Sequence, residues 1–149
     1  MGLGERKKKR VLLLCAGPND RPTSLFNLLV AAGYDPVNYD LRNGQEFDLV
    51  DTPIWDRSLY DIASGEYMAG FASPDCSTFS KLHHLPGGQP FLRGLVGKDR
   101  YGLKKFPDGR PLTMEQREHV RIHTLVSVRV AEALDLFVAR GVPCIFETP

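Results

Sequence analysis

The amino-acid sequence predicts an α/β fold with a mostly parallel sheet covered by helices on both faces. Three observations predict it. Short, continuously apolar segments such as "VLLLCAG" (11–17) and "MAGFA" (68–72) read as strands buried on both sides. Segments of helical periodicity alternate with them, the pattern of strand–helix–strand units. Polar residues then collect where the apolar segments end (Gly17, Asp40, Asp51, Cys76 and Glu147), and ligands bind parallel sheets outside the carboxyl ends of their strands.

The first strand, 11–17, has charge before it and Gly17-Pro18-Asn19-Asp20 after it. A helix is expected from about Pro22 to Ala32. Pro22 suits its first turn, Leu25, Leu28, Leu29 and Ala32 share a face, and Gly33 is a stop. "PVNYDL" (36–41) is a second strand ending near Asp40, and "EFDLVD" (46–51) a weak third. A helix around Pro53 to Ser64 turns Ile54, Leu59 and Ile62 inward, and a strand at 68–74 follows. Residues 81–112, rich in Gly, Pro and basic side chains, form a long irregular connection of the kind that usually serves function. Thr113 and Gln116 then make a capping-box pattern, and His119, Ile122, Val126, Val130, Ala133 and Phe137 recur at steps of three and four. Gly141 and Pro143 end that helix, and "PCIFETP" (143–149) reads as a final buried strand.

The 149 residues suffice for one domain with a proper core, expected over 11–149 behind a basic flexible tail at 1–10. No apolar run reaches the length that spans a bilayer, and no signal peptide is visible, so neither a membrane role nor secretion is expected. Cys15, Cys76 and Cys144 are odd in number and lack CxxC spacing. That pattern argues against a disulfide framework or a metal site and for an intracellular location, cytoplasmic or, in a eukaryote, nuclear. Cys15 and Cys144 lie in apolar segments and read as core. The net charge of +1 is unevenly spread. Residues 6–10 are all basic, and Lys81, Arg93, Lys98, Arg100, Lys104, Lys105 and Arg110 face only Asp99 and Asp108 within 81–111. Two basic segments on an otherwise acidic body suggest a polyanionic partner.

The segment "SPDCSTFS" (73–80) sets Cys76 at the end of a strand among small and hydroxyl residues, and "IFETP" sets Glu147 at the end of another. Together with "VLLLCAGPND", "NYD" and "FDLVD", these stretches resemble the catalytic half of the S-adenosylmethionine-dependent cytosine-5 DNA methyltransferases, across nearly the whole chain after residue 10. The resemblance implies a Rossmann-like fold, S-adenosylmethionine as cofactor and DNA as partner. It implies that Cys76 adds to carbon 6 of cytosine while Glu147 acts at ring nitrogen 3, so that carbon 5 can take the methyl group. It places the cofactor against Ala16, Gly17, Asn19, Asp40, Asp51 and Pro74. Asp40 would accept the ribose hydroxyls and Asp51 would face the adenine amino group. Lys81, Arg93, Lys98 and Arg100 would grip phosphates while the base leaves the stack.

The sequence departs from the family's pattern at several points. Asp75 precedes the nucleophile where proline is usual, and a neighbouring carboxylate raises a thiol's pKa. Asn19 stands where a second glycine is common, a substitution that tolerance of positive φ would allow, and Thr148 replaces an asparagine. The later strands, the target recognition domain and a glutamine–arginine motif have no counterpart, so a missing C-terminal segment or a second chain is expected to supply target recognition. A catalytically inactive relic that binds cofactor or nucleic acid is the alternative. A cysteine hydrolase pairing Cys76 with His83 or His84 ranks below both, because the strand–elbow–helix context is lacking.

Overall fold

A computed structural model describes residues 9–74, 92–94 and 97–147. The chain divides into two compact units, one of residues up to Pro74 with Arg129–Glu147, the other of Asp75–Val128 with the last two residues.

The first unit is built on four strands, β1 (Arg10–Leu14), β2 (Asp35–Tyr39), β3 (Ala69–Ala72) and β4 (Cys144–Phe146). They form one sheet in the order β2-β1-β3-β4, and every pairing in it is parallel. With α1 (Leu25–Ala31) and α2 (Thr52–Ala63) between the strands, the chain is an α/β protein. Leu12, Leu13 and Leu14 are at most 1% exposed. Consecutive strand residues point to opposite faces, so β1 is covered on both, as its unbroken apolar run predicts.

α2 and α3 follow their sequence signals closely at their ends, α1 does so only at its stop, and the faces follow less closely. Ser24 caps α1 by accepting from the Asn27 N–H at 3.2 Å, so the helix starts three residues after Pro22. Leu28, 55% exposed, and the C-cap residue Ala32 are exposed, while Leu25 and Leu29, expected on the same face, are half-buried. In α2 it is Trp55 and Ser58 that accompany Ile62 into the interior, while Ile54 and Leu59 are half-buried. The long helix α3 (Met114–Ala139) opens on the predicted capping box. Gln116 N–H donates to Thr113 Oγ1 at 3.1 Å, and Thr113 N–H donates to Gln116 Oε1 at 2.9 Å. It closes at Gly141, whose φ of 69° lets Val142 N–H reach back to the Phe137 carbonyl at 2.9 Å. His119, read as part of the buried stripe, is exposed; Val120 is the buried residue of that turn.

Two strand expectations need correction. The segment 46–51 is not a strand: Gln45–Phe47 is a 3₁₀ turn, and the Asp48 side chain accepts from Val50 N–H at 2.9 Å. Short acidic side chains that bind nearby backbone N–H groups compete with strand pairing, and here they win. β4 is a strand but not a buried one. Among the described residues it ends the strand order and pairs with β3 alone, with Ile145 66% and Phe146 47% exposed.

Within the first unit, Arg129 is a buried cation of the α3 segment. Its guanidinium donates to the Leu49 carbonyl and to Thr52 Oγ1 and lies over the Trp55 ring. Trp55 Nε1 in turn donates to Glu132 at 3.3 Å, so these side chains tie the start of α2 to α3. Packing of α3 on the sheet depends on Gly70. A Cβ there would sit 2.6 Å from the Phe137 ring, inside van der Waals contact with a side chain that is itself 1% exposed. Gly70→Ala is therefore expected to lower stability by about 1–3 kcal/mol, read as a shift in the urea midpoint. The same substitution in a Phe137→Leu background should cost less, and equal costs in both backgrounds would separate the glycine from the ring.

Candidate functional site at the carboxyl edge of the sheet

The register sets Tyr39, Leu14, Ala72 and Phe146 in one row across the sheet. The next residues, Asp40, Cys15, Ser73 and Glu147, therefore line one carboxyl edge. Backbone bonds extend that edge past the strands: Cys15 N–H donates to the Tyr39 carbonyl, Ser73 N–H to that of Leu14, and Glu147 N–H to that of Ala72, each at 2.9 Å. Three strand spacings separate Asp40 from Glu147, about 14 Å. The strand order reverses direction at β1, with β2 on one side and β3 and β4 on the other. Ligands bind open parallel sheets at such a point.

β1 ends at Leu14, earlier than its apolar run suggests, because Cys15 adopts φ 59° and turns the chain away. Left-handed backbone is unusual for cysteine and costs of order 1–3 kcal/mol unless the surroundings enforce it. Cys15 is thus a half-buried bend residue at the edge and not the core residue expected from sequence. Gly17 follows at φ 89°. Asn19 has no positive φ, since among the described non-glycine residues Cys15 alone does.

What holds this turn is a set of polar side chains from β2 and the residues after it. Gly17 N–H donates to Asp40 Oδ2 at 2.9 Å, and the Gly17 carbonyl accepts from Asn38 Nδ2 at 2.8 Å and Asn43 Nδ2 at 3.3 Å. Asn38 Nδ2 also donates to Asn19 Oδ1, Asn19 N–H donates to Asn43 Oδ1, and the Asn19 carbonyl accepts from Asn27 Nδ2. Asn38 is 3% exposed, and its own Oδ1 has no partner among the described residues. Of these residues, sequence reading singled out Gly17, Asn19 and Asp40. It missed Asn38, whose signal was a polar residue inside the apolar run "PVNY", and Asn27 and Asn43, which carry no such signal.

Asp40 is the electrostatic centre of the cluster. It is 7% exposed, and besides Gly17 it accepts from Arg42 three times: the backbone N–H at 3.0 Å, Nε at 2.9 Å and Nη2 at 2.7 Å. Burial pushes its carboxyl pKa up, but these hydrogen bonds and the Arg42 charge outweigh burial and hold it below the ordinary carboxylate value.

The remaining expected site residues are distributed as follows. Ala16 lies between Cys15 and Gly17 in the turn, and Pro74 follows Ser73 at the end of β3. Glu147 is on the edge and exposed. Asp51 is at no strand end: it is the N-cap of α2, its Oδ1 accepting from Ile54 N–H at 3.2 Å. Cys76, Lys81, Asp75, His83, His84 and Thr148 lie outside the described residues.

In the second unit, Lys98 and Arg100 are exposed on a 3₁₀ turn (Gly97–Tyr101), as are the following Lys104 and Lys105. Arg93 is different. It is 3% exposed, and its guanidinium donates to the Val120 carbonyl at 3.0 Å, Thr124 Oγ1 at 2.9 Å and the Arg100 carbonyl at 3.1 Å, with burial pushing its pKa down. That side chain pins the connection to the first turns of α3. A cleft of about 520 Å³ in this unit is lined by Leu103, Leu112, Leu125, Tyr101, Arg117 and Arg121 among others.

No protein family, curated protein or solved structure matches the chain. Among the described residues, no group of His, Cys, Asp and Glu is placed to hold a metal ion, and no helix is long and apolar enough to cross a membrane.

A carboxyl held below its unfolded value contributes stability that is present in full above that value, near 4, and lost as pH falls through the lower folded value. At neutral pH, Asp40→Asn is expected to be less stable than the wild type by about 1–2 kcal/mol. The two should converge on acidification below about pH 4. Urea midpoints across that range check this, and parallel curves would mean that the Asp40 charge does not hold the turn.

Proposed function

We propose that the chain is a cytosine-5 DNA methyltransferase-like catalytic domain with a Rossmann-like fold, binding S-adenosylmethionine at the carboxyl edge and DNA through its basic residues. The observation that carries the reading is the common row of Asp40, the Cys15–Gly17 turn, Ser73 and Glu147. It supports a donor held near β1 and β2 and an acceptor base near β3 and β4. The S-adenosylmethionine sulfonium, when bound, supplies an electrophilic methyl group. An acid at the end of β2 and a glycine at φ 89° suit a ribose diol and the close approach of a ligand to backbone, so the residues fit the cofactor. Asp51 is left out of this site, because its carboxylate caps α2.

The chain's own residues then have these roles. The Cys76 thiolate forms a bond to carbon 6 of cytosine, and the displaced ring electron pair makes carbon 5 nucleophilic. Glu147, exposed at the end of β4, acts at ring nitrogen 3, where negative charge develops. Loss of the carbon 5 proton after methylation expels the thiolate and restores the ring. Glu147 N–H donates to the Ala72 carbonyl, which puts Glu147 beside the end of β3, the strand that precedes Cys76 in sequence. Phosphate contacts fall to the exposed Lys98, Arg100, Lys104 and Lys105, joined by Lys81; Arg93 is withdrawn from that role by burial.

The chemical test is a covalent adduct with DNA containing 5-fluorocytosine, whose fluorine cannot leave as a proton does. With S-adenosylmethionine and a chain or segment supplying target recognition, the expected outcome is an adduct that survives denaturing electrophoresis and vanishes in Cys76→Ala. Calorimetric binding of S-adenosylmethionine without any adduct would identify a relic instead, and binding of neither ligand by folded protein would end the proposal. DNA affinity supplies an independent check. Glutamine at Lys98, Arg100, Lys104 and Lys105 should flatten the dependence of log affinity on log salt by about 1 for each phosphate no longer neutralised. Arg93→Gln should lower thermal stability and leave the slope alone. An unchanged slope in the four-residue variant would move DNA binding to the basic residues at 6–10.

A further inference from the structure

We propose that Arg42 gates the ligand site at the carboxyl edge by occupying Asp40, so that a bound ribose and the Arg42 side chain exclude each other. The inference rests on the reading of Asp40 as the acceptor of a ribose diol. A carboxylate has about four lone-pair positions, and all of those on Asp40 are taken. Two hold backbone N–H groups, those of Gly17 and Arg42 itself, and two hold the Arg42 guanidinium through Nε at 2.9 Å and Nη2 at 2.7 Å. The backbone donors belong to the fixed turn and cannot leave without unfolding it. The guanidinium can leave, because its side chain is 62% exposed and reaches Asp40 from only two residues away. A diol offers two O–H donors, which match the two positions that the guanidinium would release.

A second observation places the same group in the way. The nearest atom to a Cβ built on Gly17 is Arg42 Nη2, at 4.0 Å. The guanidinium therefore lies beside the glycine turn as well as on the carboxylate, the two features that a nucleoside-bearing ligand would contact together. The Arg42 side chain keeps most of its solvent contact while paired, so a ligand can displace the guanidinium at the cost of about five-fold in affinity.

Adenosine is the probe, because it is neutral and added salt acts on the gate and not on the ligand's charge. Arg42→Ala is expected to bind adenosine about five-fold more tightly than the wild type in calorimetric titration. Arg42→Gln, which keeps a long polar side chain, should fall between them. Raising salt should tighten adenosine binding by the wild type, by screening the Arg42–Asp40 pair, and leave Arg42→Ala unchanged. The 2′,3′-dideoxy analogue, which lacks the diol, should bind wild type and variant equally. Equal or weaker adenosine binding by Arg42→Ala, with measurable binding by the wild type, would overturn the gate and leave the reading of Asp40 standing. Adenosine binding by neither protein, both folded by circular dichroism, would overturn both.

Discussion

Burial of β1 on both faces is the constraint from which the arrangement of this molecule follows. Leu12, Leu13 and Leu14 have no route to solvent, so a polar group on either face of the sheet beside them is costly. Asn38, in register with Leu13, is the exception, and the other polar residues of the cluster sit where the strand stops. The stop itself is abrupt: Cys15 takes a left-handed conformation and Gly17 a second positive φ, so the chain leaves the sheet within three residues. A turn of that kind exposes backbone amides and carbonyls at the sheet edge, and they must be bonded. Asp40 and the asparagines at 19, 38 and 43 do this, and in doing so they gather a charged, hydrogen-bonding surface at the one edge where a parallel sheet can offer a ligand its backbone.

The carboxylate of Asp40 meets a structural demand that would compete with its proposed ligand role. As a structural group it compensates a buried amide and draws in Arg42, and the hydrogen bonds outweigh the cost of its burial. As a ligand group it would need open acceptor positions. Sites that combine these demands keep part of their stabilisation in contacts that a ligand can replace. The donors to Asp40 divide in that form, with the backbone amides of Gly17 and Arg42 set by the fold and the exposed Arg42 side chain able to move.

Burial also sorts the positive charge of the second unit. Arg93 and its neighbours Lys98 and Arg100 look equivalent as letters, all basic and all in one irregular connection. An arginine fork can satisfy several carbonyl and hydroxyl acceptors at once while losing its water, which a lysine ammonium does less readily. Arg93 does so against Val120, Thr124 and Arg100, and thereby holds the connection in place; Lys98 and Arg100 remain in solvent. The Arg129 side chain repeats the device in the first unit, at the start of α2.

The sequence by itself determined the α/β class, the presence of strands β1 to β4 and helices α1 to α3, and the glycines that follow α1 and α3. Continuous apolar runs, the Thr113–Gln116 box and the stops at Gly33 and Gly141 are local signals, and local backbone chemistry enforces them whatever the surroundings. It also placed Gly17, Asp40 and Glu147 at strand ends, because a strand end is a change in composition that can be seen along the chain. Tertiary structure decided the rest. Which face of a helix is buried depended on neighbours distant in sequence, so Leu28 and His119 are exposed and Trp55 and Ser58 are not. Asp48 and Asp51 had the same composition in a strand or in a turn, and only the start of α2 chose the turn. Whether Asp40 offers its oxygens to solvent or to Gly17 and Arg42 depends on bonds made across strands and around a turn. Hydrogen-bond partners of that kind are set by three-dimensional position, and no spacing along the chain specifies them.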